Sequence, residues 1–96
     1  MVAAFHDLAK VELDEAAQYY EAKSPGLGAA FLAEVERSVA AVVDHPAASP
    51  VISGYVRRRM LRRFPYGLLY RVRGERIRIL AVMNLRRRPA YWVGRT

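Results

Sequence analysis

The stretch that decides the fold is VRRRMLRRFPYGLLYRVRGERIRILAVM, residues 56–83. Short runs of β-branched, aromatic and aliphatic residues alternate in it with turn signals that contain proline or glycine. This pattern is typical of consecutive antiparallel strands. We predict strands at Val56–Phe64, Leu68–Val72 and Arg76–Met83, with turns at Pro65-Tyr66-Gly67 and Arg73-Gly74-Glu75.

The third predicted strand has two different faces. Alternation places four apolar residues on one face, namely Ile77, Ile79, Ala81 and Met83. The opposite face begins with Arg76 and Arg78 and becomes apolar at Leu80 and Val82. The pattern predicts a strand that is open at one end and covered at the other.

Two amphipathic helices precede the strands. Asp7 is a plausible N-cap for the first, whose apolar residues recur at helical spacing from Ala9 to Tyr20. Ser24-Pro25-Gly26 ends this helix, and a second apolar stripe runs from Leu27 to Val43 before Pro46 stops it. Helices joined by so short a turn form an antiparallel hairpin.

These elements predict the fold class. A helix hairpin followed by a strand meander indicates an α+β fold, in which the hairpin packs on a three- to four-stranded antiparallel sheet. Met1–Phe5 is either an edge strand or a lead-in, and Pro46–Gly54 is predicted as a loop. A length of 96 residues fits one domain, residues 1–96.

Charge divides the chain into two halves. Residues 1–49 carry three basic and eight acidic residues, a net charge of −5, whereas residues 50–96 carry thirteen arginines and only Glu75, a net charge of +12. Such asymmetry indicates a polyanion or an acidic protein as partner. The second half contains no lysine, and guanidinium suits phosphate, carboxylate and aromatic faces better than ammonium does.

Several classes of protein are excluded. There is no cysteine, which removes disulfides and cysteine-based zinc sites and favours a reducing, cytoplasmic location. His6 and His45 have no partners at ligand spacing, so we expect no metal and no cofactor. No apolar run is long enough for a membrane span, and the N-terminus does not resemble a secretory signal.

Two arginine clusters are the candidates for function. The first contains Arg57, Arg58, Arg59, Arg62 and Arg63. Strand alternation divides it between two faces, which indicates either a charged edge strand or a binding groove. The second interleaves Arg86, Arg87, Arg88 and Arg95 with Tyr91 and Trp92. Aromatic rings among arginines can stack bases, but Trp92 is more simply explained as an anchor for the tail.

A catalytic base is not evident among these clusters. The strands contain no histidine, and their one carboxylate, Glu75, lies in a turn. The pairs Asp14 with Glu15 and Glu34 with Glu36 are expected on solvated helix faces. Phe64 is expected in the core, whereas the roles of Tyr66 and Tyr70 stay open.

Three segments resemble the RelE/ParE toxin superfamily. Residues 12–24, ELDEAAQYYEAKS, with Pro25-Gly26-Leu27-Gly28 and Phe31, look like its helix hairpin. Its first two meander strands are similar to Val56-Arg57-Arg58, Arg62-Arg63-Phe64-Pro65-Tyr66 and Leu69-Tyr70-Arg71-Val72. Its last strand and tail are similar to Ile77–Val82 and to Arg87, Pro89, Tyr91, Trp92 and Arg95. The Arg-Phe-Pro-Tyr and Arg-x-Pro-x-Tyr-Trp motifs are fairly specific to the ParE-like branch, and the resemblance spans residues 6–95.

The resemblance implies the toxin of a type II toxin–antitoxin pair. Its partner would be a cognate antitoxin whose acidic, partly disordered C-terminal segment covers the toxin in a hetero-oligomeric complex. The residues expected to bind the antitoxin or the target are Arg57, Arg59, Arg62, Arg63, Tyr66, Tyr70, Arg71, Arg86, Arg87, Arg88, Tyr91, Trp92 and Arg95. No cofactor, metal or membrane is implied.

The cellular target divides the superfamily. ParE-like members are associated with inhibition of DNA gyrase and perform no chemistry, whereas RelE-like members cut mRNA on the ribosome. Many relatives carry histidine where Asn84 stands, and asparagine cannot exchange a proton, so we favour gyrase. An mRNA interferase would rely on Arg58, Arg62, Arg87 and Tyr91. A non-toxic, arginine-rich nucleic-acid-binding module is the third alternative.

Overall fold

The computed structural model describes residues 1–96. Its elements are β1 (Val2–Phe5), α1 (Asp7–Lys23), α2 (Leu27–Asp44), β2 (Val51–Ser53), β3 (Val56–Met60), β4 (Tyr66–Arg73) and β5 (Arg76–Asn84). One sheet contains all the strands in the order β1-β5-β4-β3-β2, with β1 parallel to β5 and the other pairs antiparallel. The α+β class is confirmed. The sheet has five strands instead of three or four, and β1 makes it mixed.

The helix hairpin forms as predicted. α1 begins one residue earlier than expected, because the Nδ1 atom of His6 accepts a hydrogen bond from the N–H of Leu8 and His6 is therefore the N-cap. The helices touch at Gly28, where a Cβ atom would lie 2.6 Å from the carbonyl oxygen of Ala17. The Glu21 carboxylate accepts a hydrogen bond from the Gly28 N–H at 3.0 Å. No helix is both long and apolar enough to cross a membrane.

The main core lies between the helices and one face of the sheet, called here the helix face. At one end the rings of Tyr20, Phe31, Phe64 and Tyr66 pack mostly edge to face, with centroids 4.8 to 6.1 Å apart. Phe64 is thus a core residue, as predicted. At the other end Val42 of α2 belongs to a buried cluster with three strand residues, Tyr70, Ile77 and Ile79.

A β-bulge in β5 corrects the predicted faces of that strand. Leu69 pairs with Ala81 and Tyr70 with Ile79, which leaves Leu80 as the extra residue. Ile77 and Ile79 lie on the helix face, but Ala81 and Met83 belong to a separate cluster on the opposite face, called here the outer face. A pattern with a strict period of two cannot show where an extra residue inverts the alternation.

The tail after β5 covers half of the outer face. Trp92 is 8% exposed and packs against Leu69, Leu80, Ala81 and Met83. Trp92 therefore anchors the tail, as expected. The other end of the outer face stays open beside Arg76 and Arg78, which confirms the strand covered at one end only.

Three predicted boundaries after the helices were wrong. β4 begins at Tyr66, inside the predicted turn Pro65-Tyr66-Gly67. β3 ends at Met60 instead of Phe64, because the chain leaves the sheet there and the N–H groups of Arg62 and Arg63 bond to Glu34 of α2. The predicted loop Pro46–Gly54 contains β2, a three-residue edge strand that pairs only with Val56 and Arg57.

Candidate functional site

The structure distributes the predicted site residues over three surfaces. The first is a cleft between α2 and β3, called here the α2–β3 cleft. The second is a cleft between α1, the end of β5 and the tail, called here the α1–tail cleft. The third is formed by four arginines at the end of the β4–β5 hairpin, called here the hairpin-end quartet. The predicted residues therefore do not form one continuous site.

The α2–β3 cleft brings together Arg59, Arg62 and Arg63 with Arg37 of α2, in a space of about 440 Å³. Met60, 44% exposed, adds an apolar side chain. The Nε atom of Arg59 is buried and has no hydrogen-bond partner in the chain. Since β2 pairs only with Val56 and Arg57, Met60 lies on an open strand edge. The cleft therefore offers both charge and free backbone groups.

Glu34 holds the floor of this cleft. It is 8% exposed, and its carboxylate accepts hydrogen bonds from the backbone N–H groups of Arg62 and Arg63. The expectation that Glu34 lies on a solvated helix face was wrong, because the chain after β3 folds back over α2. The carboxylate binds backbone groups, so the guanidinium groups of Arg62 and Arg63 remain available.

The α1–tail cleft is organised by Glu12. Its carboxylate accepts hydrogen bonds from the Val82 N–H at 2.9 Å and from both terminal nitrogens of Arg95 at 3.0 Å. Arg95 also donates to the Leu80 carbonyl at 3.0 Å. Glu12 and Arg95 thereby provide hydrogen-bond partners for backbone groups of β5 that lie beyond its pairing with β1. They also join the tail to α1. This is the one salt bridge of the chain.

Tyr91 lies between two guanidinium groups in this region. Its ring centroid is 4.1 Å from the Cζ of Arg87 and 5.0 Å from that of Arg95. Burial, reinforced by the nearby Glu12 carboxylate, raises the pKa of Tyr91. Burial alone would lower the pKa of Arg95, but the hydrogen bond and charge of Glu12 outweigh it and raise that pKa. Both side chains therefore keep their protons at neutral pH.

The α1–tail cleft also contains the carboxylate of Glu15, which accepts no hydrogen bond from the backbone. Glu15 lines it together with Tyr19, Tyr66, Asn84 and Arg87, around a space of about 250 Å³. The expectation that Glu15 only faces solvent was incomplete. Nothing in the sequence brings α1 against β5, so this proximity could not be predicted locally.

The hairpin-end quartet consists of Arg71, Arg73, Arg76 and Arg78. Arg71 pairs directly with Arg78, and Arg73 with Arg76, across the two strands. All four line a groove of about 580 Å³ on the outer face, next to β1. Of the four, only Arg71 was a predicted site residue. The near-symmetric segment RVRGERIR, residues 71–78, was the available signal, because a two-residue Gly74-Glu75 turn forces these pairs.

Several predicted binding residues have structural roles instead. Tyr70 is completely buried and its hydroxyl donates to the Pro46 carbonyl at 2.7 Å, so it has no surface for a partner. Arg57 donates to the carbonyls of Ala47 and Ser49 and fixes the loop before β2. Trp92 and Tyr66 are each less than a tenth exposed. Core packing explains Tyr66 and Trp92, whose positions in a predicted turn and in the tail suggested that a partner could reach them.

The four residues named for an mRNA interferase are not gathered together. Arg87 contacts Tyr91, but Arg62 lines the α2–β3 cleft. The side chain of Arg58 extends over Gly67, where a Cβ atom would lie 3.2 Å from its Cγ. The structure contains no cluster of three or more histidine, aspartate or glutamate side chains able to hold a metal ion.

Comparison with known proteins gives two matches. Residues 3–89 match the family described as ParE toxin of type II toxin-antitoxin system, parDE. The fold is similar to that of a solved structure described as a chromosomal ParDE TA system from P. aeruginosa, with 23% sequence identity and a TM-score of 0.75. That match covers 88% of this chain and 95% of the other. No curated protein matches the chain significantly.

Proposed function

We propose a function for the chain on the basis that it belongs to the ParE toxin family of type II toxin–antitoxin systems. Residues 3–89 match this family. The chain is a ParE-type toxin, and such a system supplies an antitoxin as its partner. We propose that it inhibits growth by binding DNA gyrase, in the cytoplasm and as a single toxin domain. We propose also that a cognate antitoxin neutralises it through an acidic C-terminal segment.

The α2–β3 cleft supports the antitoxin part of the proposal. An acidic segment that folds on binding needs positive charge, an apolar contact and backbone groups to pair with. Arg37, Arg59, Arg62 and Arg63 supply the charge, and Met60 supplies the apolar contact on the open edge of β3. None of these arginines forms a salt bridge within the chain, so an acidic partner could bind them without breaking an existing ion pair.

Three residues around the α1–tail cleft, Glu12, Asn84 and Tyr91, support inhibition by binding, because none of them is suited to act as a general base. A general base must be unprotonated at the operating pH, so that it can accept a proton. Tyr91 is held protonated by burial, and the Glu12 carboxylate is already occupied by Arg95 and the Val82 N–H. Asn84 has no proton to exchange. The exposed Arg86, Arg87 and Arg88 are therefore proposed as contacts to the target.

A supercoiling assay tests the gyrase proposal. Purified toxin is added to gyrase and relaxed plasmid, with and without its cognate antitoxin. We expect inhibition of supercoiling or accumulation of cleaved DNA, and relief by the antitoxin. Normal supercoiling at a large molar excess of toxin would contradict the gyrase target while leaving the family membership intact.

A pair of matched variants tests the antitoxin surface. Arg62→Gln/Arg63→Gln removes two charges from the α2–β3 cleft and leaves the backbone bonds to Glu34 in place. Lys10→Gln/Lys23→Gln removes the same charge from α1. We expect the first variant to weaken antitoxin binding at least tenfold and the second to change it little. Equal affinities of the two variants would place the antitoxin elsewhere.

Ribosome-dependent mRNA cleavage is the second candidate, and one observation favours testing it. Glu15 shares a cleft with Asn84 and Arg87, which joins a free carboxylate to a cation. Primer extension on translated mRNA after toxin induction would show new 5′ ends if the chain cleaves. Loss of those ends in Glu15→Gln, but not in Asp14→Asn, would assign the base.

A further inference from the structure

The hairpin-end quartet is not explained by the functions proposed above. Its four guanidinium groups point to the outer face from two strands, with Arg71 opposite Arg78 and Arg73 opposite Arg76. Like charges directly opposite each other destabilise a sheet. None of the four forms a salt bridge with an acidic side chain, because the one salt bridge of the chain joins Arg95 to Glu12. No acidic side chain of the protein therefore relieves the repulsion.

Protection against aggregation accounts for only two of these charges, those of Arg71 and Arg73 on β4. Proteins place charge on edge strands to prevent pairing with other chains. β3 pairs with β4 only as far as Tyr70, so Arg71 and Arg73 lie beside an open strand edge. Arg76 and Arg78, however, lie where β5 is paired with β1 on one side and with β4 on the other. Their charges have no edge to protect, which indicates that they serve a ligand.

The quartet is partly organised in advance. Arg78 is fixed by hydrogen bonds from its Nε to the main-chain oxygen of Thr96 at 3.1 Å and from its terminal nitrogen to the Phe5 carbonyl at 3.4 Å. The Nε atom of Arg71 is buried and has no hydrogen-bond partner in the chain. Such a donor is costly unless an acceptor reaches it. Arg73 and Arg76 are exposed at the rim.

The lining of the groove indicates which anion fits. Besides the arginines it contains Val2, Ala4, Ile77 and Thr96, and no aromatic residue. Single-stranded nucleic acid needs aromatic rings on which bases stack, and protein segments anchor through large side chains in pockets. A surface of guanidinium groups without either feature is suited to a row of phosphates on a duplex backbone.

We propose that the hairpin-end quartet is a binding site for the phosphate backbone of double-stranded DNA, independent of base sequence. The spacing supports this: cross-strand neighbours lie about 5 Å apart and alternate residues on one strand about 6.7 Å apart, so the four charges span adjacent phosphates. The site is separate from the α2–β3 cleft. It gives the toxin an affinity for DNA of its own.

Fluorescence anisotropy of the full chain with a labelled mixed-sequence duplex tests the proposal over a range of salt concentrations. Four phosphate contacts predict a slope of log K against log salt of about −3.6. Arg73→Gln/Arg76→Gln should weaken binding at low salt at least tenfold and reduce the magnitude of the slope by about 1.8. Lys10→Gln/Lys23→Gln removes equal charge from α1 and should keep the slope. Circular dichroism shows that each variant is folded.

Three results would overturn the site. The first is equal loss of affinity in the two variants, which would mean diffuse charge attraction. The second is tighter binding of a single strand of equal charge. The third is a polyglutamate peptide that displaces the duplex as well as unlabelled duplex does, which would assign the quartet to an acidic protein. The gyrase assay is independent, because supercoiling inhibition by a toxin without DNA affinity would refute this site alone.

Discussion

Glu12 and Arg95, 83 positions apart, form a two-pronged ion pair in which both terminal guanidinium nitrogens lie 3.0 Å from carboxylate oxygens. Their side chains are only 12% and 11% exposed. The pair joins the first helix to the tail and, through Val82 and Leu80, to the part of β5 that lies beyond its pairing with β1. Together with the buried Trp92, it connects the tail to the rest of the fold.

Replacing Glu12 by Gln should therefore destabilise the protein substantially. Breaking one side of a buried pair leaves the other charge uncompensated, at a cost of about 3 kcal/mol. Urea unfolding measures the change. Asp14→Asn, at an exposed position of the same helix, should stay within about 0.5 kcal/mol. Similar stability of the two variants would contradict the role of the pair.

Stability should fall at alkaline pH because of Tyr91. Its pKa is raised in the folded chain, so above about pH 10 the unfolded state loses this proton first and unfolding becomes easier. Below that pH the contribution is fully present. Unfolding free energies between pH 8 and 11 should decline less steeply in Tyr91→Phe. Tyr55 is 82% exposed, and the unfolding free energy of Tyr55→Phe should fall with pH as steeply as that of the parent protein.

Glu34→Gln should loosen the segment between β3 and β4. The substitution removes the charge that strengthens the hydrogen bonds from the Arg62 and Arg63 N–H groups, at a cost of about 2 kcal/mol. Hydrogen exchange should increase at these two amides before the rest of the sheet opens. Exposed Glu36→Gln is the matched control, and faster exchange in both variants alike would argue against a local role.

Tyr70→Phe should affect stability and not partner binding. It removes the hydrogen bond to the Pro46 carbonyl, which costs about 1 kcal/mol, while the buried ring stays in place. Thermal unfolding measures the loss, and titration with antitoxin should give the affinity of the parent protein. Weaker antitoxin binding by a folded Tyr70→Phe protein would return this residue to the binding surface.

Gly28→Ala should destabilise the hairpin although alanine is the better helix former. Alanine would gain about 1 kcal/mol in an unobstructed helix, but its Cβ would lie 2.6 Å from the Ala17 carbonyl oxygen. Forcing the helices apart costs about 2 kcal/mol. Chemical denaturation measures whether the free energy of unfolding falls or rises. A more stable variant would show that the helices can move apart at little cost.

The parts of the fold that local signals encode were predictable. The Ser24-Pro25-Gly26 turn and the period of the two stripes fix the helix hairpin, and the β4–β5 hairpin follows from Gly74-Glu75. β1 was left undecided because its partner β5 lies more than seventy positions away, as the pairing of Val2 with Arg76 shows. The bulge at Leu80 placed Ala81, Val82 and Met83 on the faces opposite to those that the alternation predicted.

The candidate site was predicted in composition better than in arrangement. Arginine content identified the charged half, but three arginines of the quartet were overlooked although the hairpin turn determines their pairing. Tyr70 and Arg57 became structural because their partners, Pro46, Ala47 and Ser49, come from a loop whose path depends on the folded chain. Contacts of this kind are tertiary, and one sequence alone does not specify them.

The parallel pairing of β1 with β5 has a consequence for how the chain is made. Val2 and Arg76 are partners in that ladder, so the sheet cannot be completed until most of the polypeptide has been synthesised. Closing so large a loop carries an entropic cost and slows folding relative to local pairing. We therefore expect a chain growing on the ribosome to form its helix hairpin before its sheet, which needs β5 to be complete.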